Sequence, residues 1–178
     1  MKVWHWAHKG NPPCDPWWGN ETEWHREWKN YFPIEWQESC LKNRVTGEKH
    51  IADVRAKSGL VVEFQHSFLK SEEQEAREDF YKKMVWVVDG SRLKRDFPRF
   101  LKEVKHFETS HMPGVFLCSY PEECFQAAWT TRSVPVFFDF EGATEHKPDN
   151  AKKIGLVSYA GSRAWKVCSC CTKTKRFC

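Results

Sequence analysis

Two short runs on either side of Lys57-Ser58-Gly59 constrain this chain more than any other feature. His50-Ile51-Ala52-Asp53-Val54-Arg55 and Leu60-Val61-Val62-Glu63-Phe64-Gln65 flank a three-residue loop that ends on glycine, where a hairpin needs a positive φ. Pairing Ala56 with Leu60 sets Asp53 opposite Glu63. Side chains alternate along a strand, so Asp53, Glu63 and Gln65 share a face with Ile51 and Val61, while Val62 and Phe64 point the other way. Two carboxylates about 5 Å apart repel by roughly 3 kcal/mol at an effective dielectric of about 20. A divalent cation between them removes that cost. The alternative is a solvated face on which Arg55 and Lys49 neutralise the acids in a cross-strand charge ladder. Ile51 and Val61 argue that part of this face is covered, and covered carboxylates need a cation or a hydrogen-bond network.

The residues beyond the hairpin extend it into an α/β pattern. Val85-Trp86-Val87-Val88 is a continuous apolar run, which suits a strand buried on both faces and a parallel crossover from the Glu63 strand. The helix between them is expected to open on a capping box, Ser71 with Gln74, and to run to about Met84 with Ala76, Phe80 and Met84 as its apolar stripe. A second amphipathic helix starts near Pro98 and turns Phe97, Phe100, Leu101 and Val104 inward; a short helix falls around Glu122 to Trp129. Further strands are expected around Ile34 to Cys40, Val115 to Cys118, Val134 to Phe140 and Ile154 to Tyr159. The pattern is α/β, a mixed central sheet flanked by helices.

At 178 residues the chain supports one domain that can bury a core without disulfides. No apolar run approaches a membrane span, and Met1-Lys2-Val3-Trp4-His5-Trp6 lacks the apolar stretch of a signal peptide. A soluble cytoplasmic protein with no membrane partner is expected, its eight cysteines serving as thiols or ligands. The net charge of +4 is too small to identify a nucleic-acid partner by itself. Residues 1–20 read as an N-terminal loop segment, 21–160 as the core and 161–178 as a basic, cysteine-rich tail. In that tail Cys168 and Cys171 have the C-x₂-C spacing of a Zn²⁺ site, to which His5 and His8 can add ligands. The alternative is a basic tail with unpaired thiols, and either form can lie along a nucleic-acid backbone.

Asn20 and Glu23 have the spacing of a capping box that opens a first helix. On it Glu21, His25 and Lys29 recur at i, i+4 and i+8, opposite Trp24, Trp28, Tyr31 and Phe32. Such a polar stripe is either solvated surface or one wall of a site. Arg77 and Tyr81, at i and i+4 on the next helix, are either phosphate contacts or supports of Gln65, or else a surface Arg stacked on Tyr. Glu38 is either near the site or solvated on an edge strand. His66 alternates away from Gln65 and is read as packed, and Asp89 as a strand-end turn residue. No glycine-rich phosphate loop, nucleophile elbow or dinucleotide fingerprint is found.

Several ordered motifs carry a family resemblance. They are Glu21-Thr22-Glu23-Trp24-His25-Arg26-Glu27-Trp28-Lys29, Glu48-Lys49-His50-Ile51-Ala52-Asp53-Val54, Val62-Glu63-Phe64-Gln65-His66-Ser67, Glu75-Ala76-Arg77-Glu78-Asp79-Phe80-Tyr81 and Val85-Trp86-Val87-Val88-Asp89. Across about residues 1–140 the chain resembles the competence protein CoiA family. The resemblance implies a restriction-endonuclease-like core of the PD-(D/E)XK superfamily, in which an Asp and a Glu-x-Lys/Gln pair organise Mg²⁺ or Mn²⁺ for phosphodiester hydrolysis. It implies that Asp53, Glu63 and Glu21 bind metal, that Gln65 replaces the usual Lys and positions water, and that His25 or Lys49 assists charge or proton handling. Lys49, Arg77 and Tyr81 become candidate phosphate contacts. Ala52 stands where the superfamily name has Pro, and Gln65 brings no positive charge to the attacked phosphate. Set beside that family, the chain is expected to lack the usual N-terminal module or to keep only a stub of it.

The expected function is a Mg²⁺-dependent deoxyribonuclease of competence, recombination or defence. DNA, recombination or transformation proteins and a second copy of the chain are its candidate partners. The alternatives are a catalytically silent DNA-binding accessory of transformation or recombination and, third, a zinc-stabilised interaction module.

Overall fold

The computed structural model describes Asp15, Trp17, residues 21–109 and 115–140, and two strands at 155–157 and 165–168. In chain order the first elements are α1 (Glu23–Lys29), β1 (Gln37–Lys42), β2 (Lys49–Arg55), β3 (Val61–Gln65), α2 (Ser71–Tyr81) and β4 (Met84–Asp89). After them come α3 (Asp96–Glu103), β5 (Glu108–Thr109), β6 (Val115–Cys118), α4 (Pro121–Cys124), α5 (Ala127–Thr130), β7 (Val136–Asp139), β8 (Gly155–Val157) and β9 (Trp165–Cys168). Five strands form a mixed sheet in the order β1-β2-β3-β4-β7, antiparallel through β3 and parallel from β3 to β7. The other four form an antiparallel sheet, β5-β6-β9-β8. Among the described residues no helix is long and apolar enough to cross a membrane.

The hairpin closes as its sequence requires. Ala56 N–H donates to the Leu60 carbonyl at 2.9 Å, and Gly59 takes φ 81°, a left-handed conformation that glycine adopts without strain. Every residue of β4 is buried, as its unbroken apolar run predicts, and α2 makes the crossover between the parallel strands β3 and β4. Alternation then sorts the core. Val61, Met84, Trp86, Val136 and Phe138 join a cluster with Tyr81 of α2 and Phe97 and Phe100 of α3. Val62, Phe64, Val85 and Val87 join a second cluster, against which Trp24 and Trp28 of α1 pack.

Several local expectations are corrected. Helix α1 is capped by Thr22, whose side chain accepts the His25 N–H while the His25 ring reaches back to the Thr22 N–H. That displaces the Asn20–Glu23 box, and Asn20 itself lies outside the described residues. Ile34–Trp36 is a 3₁₀ turn, so the strand begins only at Gln37. Helix α2 has Lys70 at its N-cap with no side-chain cap bond, ends at Tyr81 and leaves Ala76 exposed. Phe80 does pack against the core as expected, but much of the face the helix buries is polar: Gln74 and Glu78, with Arg77 between them and Tyr81 at the end. Glu78 earns its burial by accepting the Trp86 indole N–H at 3.0 Å and the Ser133 N–H at 3.1 Å. Within the expected tail, 165–168 is a strand paired with β6.

Candidate functional site

Strands β2 and β3 pair Val54 with Val62 and Arg55 with Val61. Past them the bonds between the strands run through side chains. Asp53 N–H donates to Glu63 Oε1 at 3.2 Å, and Phe64 N–H donates to Asp53 Oδ2 at 2.9 Å. Each acid takes a main-chain donor from the opposite strand, so the two carboxylates are wedged where the sheet opens. Glu63 is 2% exposed. Ile51, expected to help cover this face, is instead 38% exposed. Cover comes from helices.

Neither acid uses the cations of the charge ladder. Lys49 and Arg55 are exposed, and the charge comes from Lys29 of α1 and Arg77 of α2. Lys29 Nζ lies 2.8 Å from Glu21 Oε1, 2.7 Å from Glu38 Oε1 and 3.5 Å from Asp53 Oδ1. Burial pulls its pKa down, but Asp53, Glu21 and Glu38 outweigh that and hold it above the ordinary lysine value, so it stays an ammonium. Arg77 NH1 donates to Glu63 Oε2 at 2.8 Å, while NH2 donates to Glu73 Oε1 at 2.6 Å and to the Trp17 carbonyl at 2.8 Å. Its guanidinium stands 5.5 Å from the Trp17 ring and 6.0 Å from the Trp86 ring, so it stacks on tryptophans and not on Tyr81.

Other candidates fall around this pair. Gln65 is buried on the same strand, but its amide donates to the Ser67 carbonyl at 3.0 Å and to Ser67 Oγ at 3.1 Å. His25 has both ring nitrogens engaged: Nε2 lies 2.8 Å from the Phe64 carbonyl and Nδ1 2.8 Å from Thr22 Oγ1. Burial lowers its pKa against the pull of Asp53 and the Phe64 carbonyl, which favours a neutral ring donating from Nε2. Tyr81 is 8% exposed in the core, and its pKa is raised by burial and by Glu63. His66 Nδ1 lies 2.6 Å from Asp89 Oδ2, and Ser91 N–H caps Asp89 Oδ1 at 2.8 Å, so Asp89 does close the strand end. The Cys168 side chain, Cys171, His5 and His8 lie outside the described residues.

Lys29 and Glu38 are site residues that sequence reasoning did not assign. Lys29 sat in the Glu21–His25–Lys29 stripe, where spacing cannot say whether the stripe is solvated or inward. Glu38 carries φ 51° inside β1, a left-handed conformation that costs a non-glycine residue roughly 1–2 kcal/mol. Strain of this kind persists where surrounding contacts impose it, and here the Glu38 carboxylate ends on Lys29.

Asp53 and Glu63 offer hard oxygen donors suited to Mg²⁺ or Mn²⁺. Among the described residues no group of three or more His, Cys, Asp or Glu side chains is arranged to hold a metal. That donor set fits Mg²⁺, which binds through one or two carboxylates and keeps several waters. Burial and the neighbouring Asp53 push the Glu63 carboxyl up to about 8 despite Arg77, a cost that a bound cation would relieve. Because the folded chain holds this proton more tightly than the unfolded chain, the stability from Glu63 is full below about pH 4.5. It is lost as pH rises to about 8. Thermal melts in EDTA should therefore fall over that window, and Glu63→Gln should flatten the fall; an unchanged slope would contradict the assignment.

No family model matches the chain, and neither the curated proteins nor the solved structures searched contain a match to it.

Proposed function

We propose that this chain is a metal-dependent nuclease that hydrolyses phosphodiester bonds of DNA, with a restriction-endonuclease-like core similar to the CoiA family. The observation that carries the reading is the wedge of Asp53 and Glu63 at the opening of β2 and β3, each held by the other strand's main chain. In a structural sheet a buried acid facing a half-buried one is a liability. In a nuclease they are the cation site. Asp53 and Glu63 would hold Mg²⁺ or Mn²⁺, with Glu21 nearby on Lys29; when bound, the ion polarises the phosphate and lowers the pKa of the attacking water.

The chain's own residues then divide the work. Asp53 and Glu63 are kept in place by backbone donors, so neither has to reorganise when charge develops. His25 positions β3 by holding the Phe64 carbonyl. Arg77 keeps the Glu63 carboxylate oriented while the metal is absent. The reading as a silent DNA-binding accessory draws on a specific observation, the commitment of the Gln65 amide to Ser67. One assay separates the two. Labelled DNA incubated with the protein and Mg²⁺ or Mn²⁺ is expected to be cut, and EDTA to abolish the cutting; retention of DNA without cleavage at any metal concentration would favour the accessory.

A further inference from the structure

We propose that Lys29 supplies the positive charge that position 65 lacks, presenting its ammonium from α1 to the phosphate undergoing hydrolysis. This rests on the nuclease reading and names the group that reading leaves missing.

Gln65 cannot fill that role, because its amide is neutral and its donors are spent on Ser67. Arg77 is committed to Glu63, Glu73 and the Trp17 carbonyl. Lys29 is placed differently. Asp53 Oδ2 is fixed by the Phe64 N–H at 2.9 Å, and its other oxygen faces Lys29 Nζ at 3.5 Å, the longest of the three carboxylate contacts of that ammonium.

The three carboxylates offset the burial of the ammonium, but they do so unequally. The Lys29 side chain is 8% exposed, whereas Glu21 and Glu38 are 35% and 61% exposed. Carboxylates that exposed are readily solvated on their own, so another anion can take their place on the ammonium. Glu38 adds backbone strain to reach it. What the cluster achieves is position. Gln37 holds the Lys29 carbonyl at 2.9 Å, fixing the end of α1, and the exposed acids can return to water when a phosphate oxygen replaces them on the ammonium.

In the reaction, the water oxygen forms a bond to phosphorus and one phosphorus–bridging oxygen bond breaks. The water loses a proton to solvent and the leaving oxygen gains one, giving a phosphate monoester and a hydroxyl group. Lys29 faces the non-bridging oxygens as their negative charge grows.

The test relocates the charge. Single-turnover cleavage of DNA at saturating Mg²⁺ should fall about 10²-fold or more in Lys29→Gln and stay within about tenfold of the parent in Lys29→Arg. The double variant Lys29→Gln/Gln65→Lys should regain much of the loss, which a merely structural Lys29 would not allow. A readout independent of activity is the rise in melting temperature on adding Mg²⁺. It should be at least as large in Lys29→Gln as in the parent, since a cation competing for Asp53 has been removed. If the parent cleaves and Lys29→Gln matches it, or the double variant is no better than Lys29→Gln, the role assigned to Lys29 is overturned and the nuclease reading stands. A parent that cleaves nothing overturns both.

Discussion

Glu63→Gln is expected to lower single-turnover cleavage of DNA by on the order of 10³-fold while leaving the melting temperature of the metal-free protein level or higher. The two halves of this result have one cause. Glu63 is 2% exposed and faces Asp53, so its ionised form is disfavoured by burial and by like charge. An amide of the same shape removes both penalties and keeps an oxygen for Arg77. The same amide is a poor ligand for a hard divalent cation, so what the fold gains the chemistry loses. A drop in activity accompanied by a collapse of the melt would instead make Glu63 a structural residue.

Arg77→Ala should act in the opposite sense, as a large loss of stability. The guanidinium is 11% exposed and serves Glu63, Glu73 and the Trp17 carbonyl while lying 5.5 Å and 6.0 Å from the Trp17 and Trp86 rings. Truncation leaves buried acceptors without a donor and opens space beside Trp86. A cost of about 3 kcal/mol follows, or roughly 6 to 12 °C in melting temperature for a chain of this size. The loss should deepen above about pH 8, where Glu63 ionises with no cation beside it. Circular-dichroism melts at two pH values measure both effects, and a shift under about 2 °C at either would remove Arg77 from the account.

What the sequence made legible was local. A glycine-ended loop between two β-rich runs sets its own register, so the bond between Ala56 and Leu60 and the meeting of Asp53 with Glu63 could be read directly. The unbroken apolar run of β4 likewise implied burial on both faces and a parallel crossover. Helix α2 was misread in part, because periodicity was sought in apolar residues: Phe80 packs inward, but Ala76 is exposed. Its buried stripe includes Glu78 and Arg77, whose burial depends on partners on other elements, Trp86, Ser133 and Glu63. Lys29 was hidden for a related reason: a polar stripe looks the same whether it meets solvent or an open sheet. The pairing of β9 with β6 joins segments far apart in the chain, and nothing in Trp165–Cys168 announces its partner.

The proposed divalent cation between Asp53 and Glu63 is tested most directly by crystals soaked in Mn²⁺. They should show an anomalous-density peak touching both carboxylates, with Arg77 withdrawn from Glu63. Anomalous maps with no peak there, and with Arg77 and Lys29 still seated on the acids at high Mn²⁺, would contradict the proposed site.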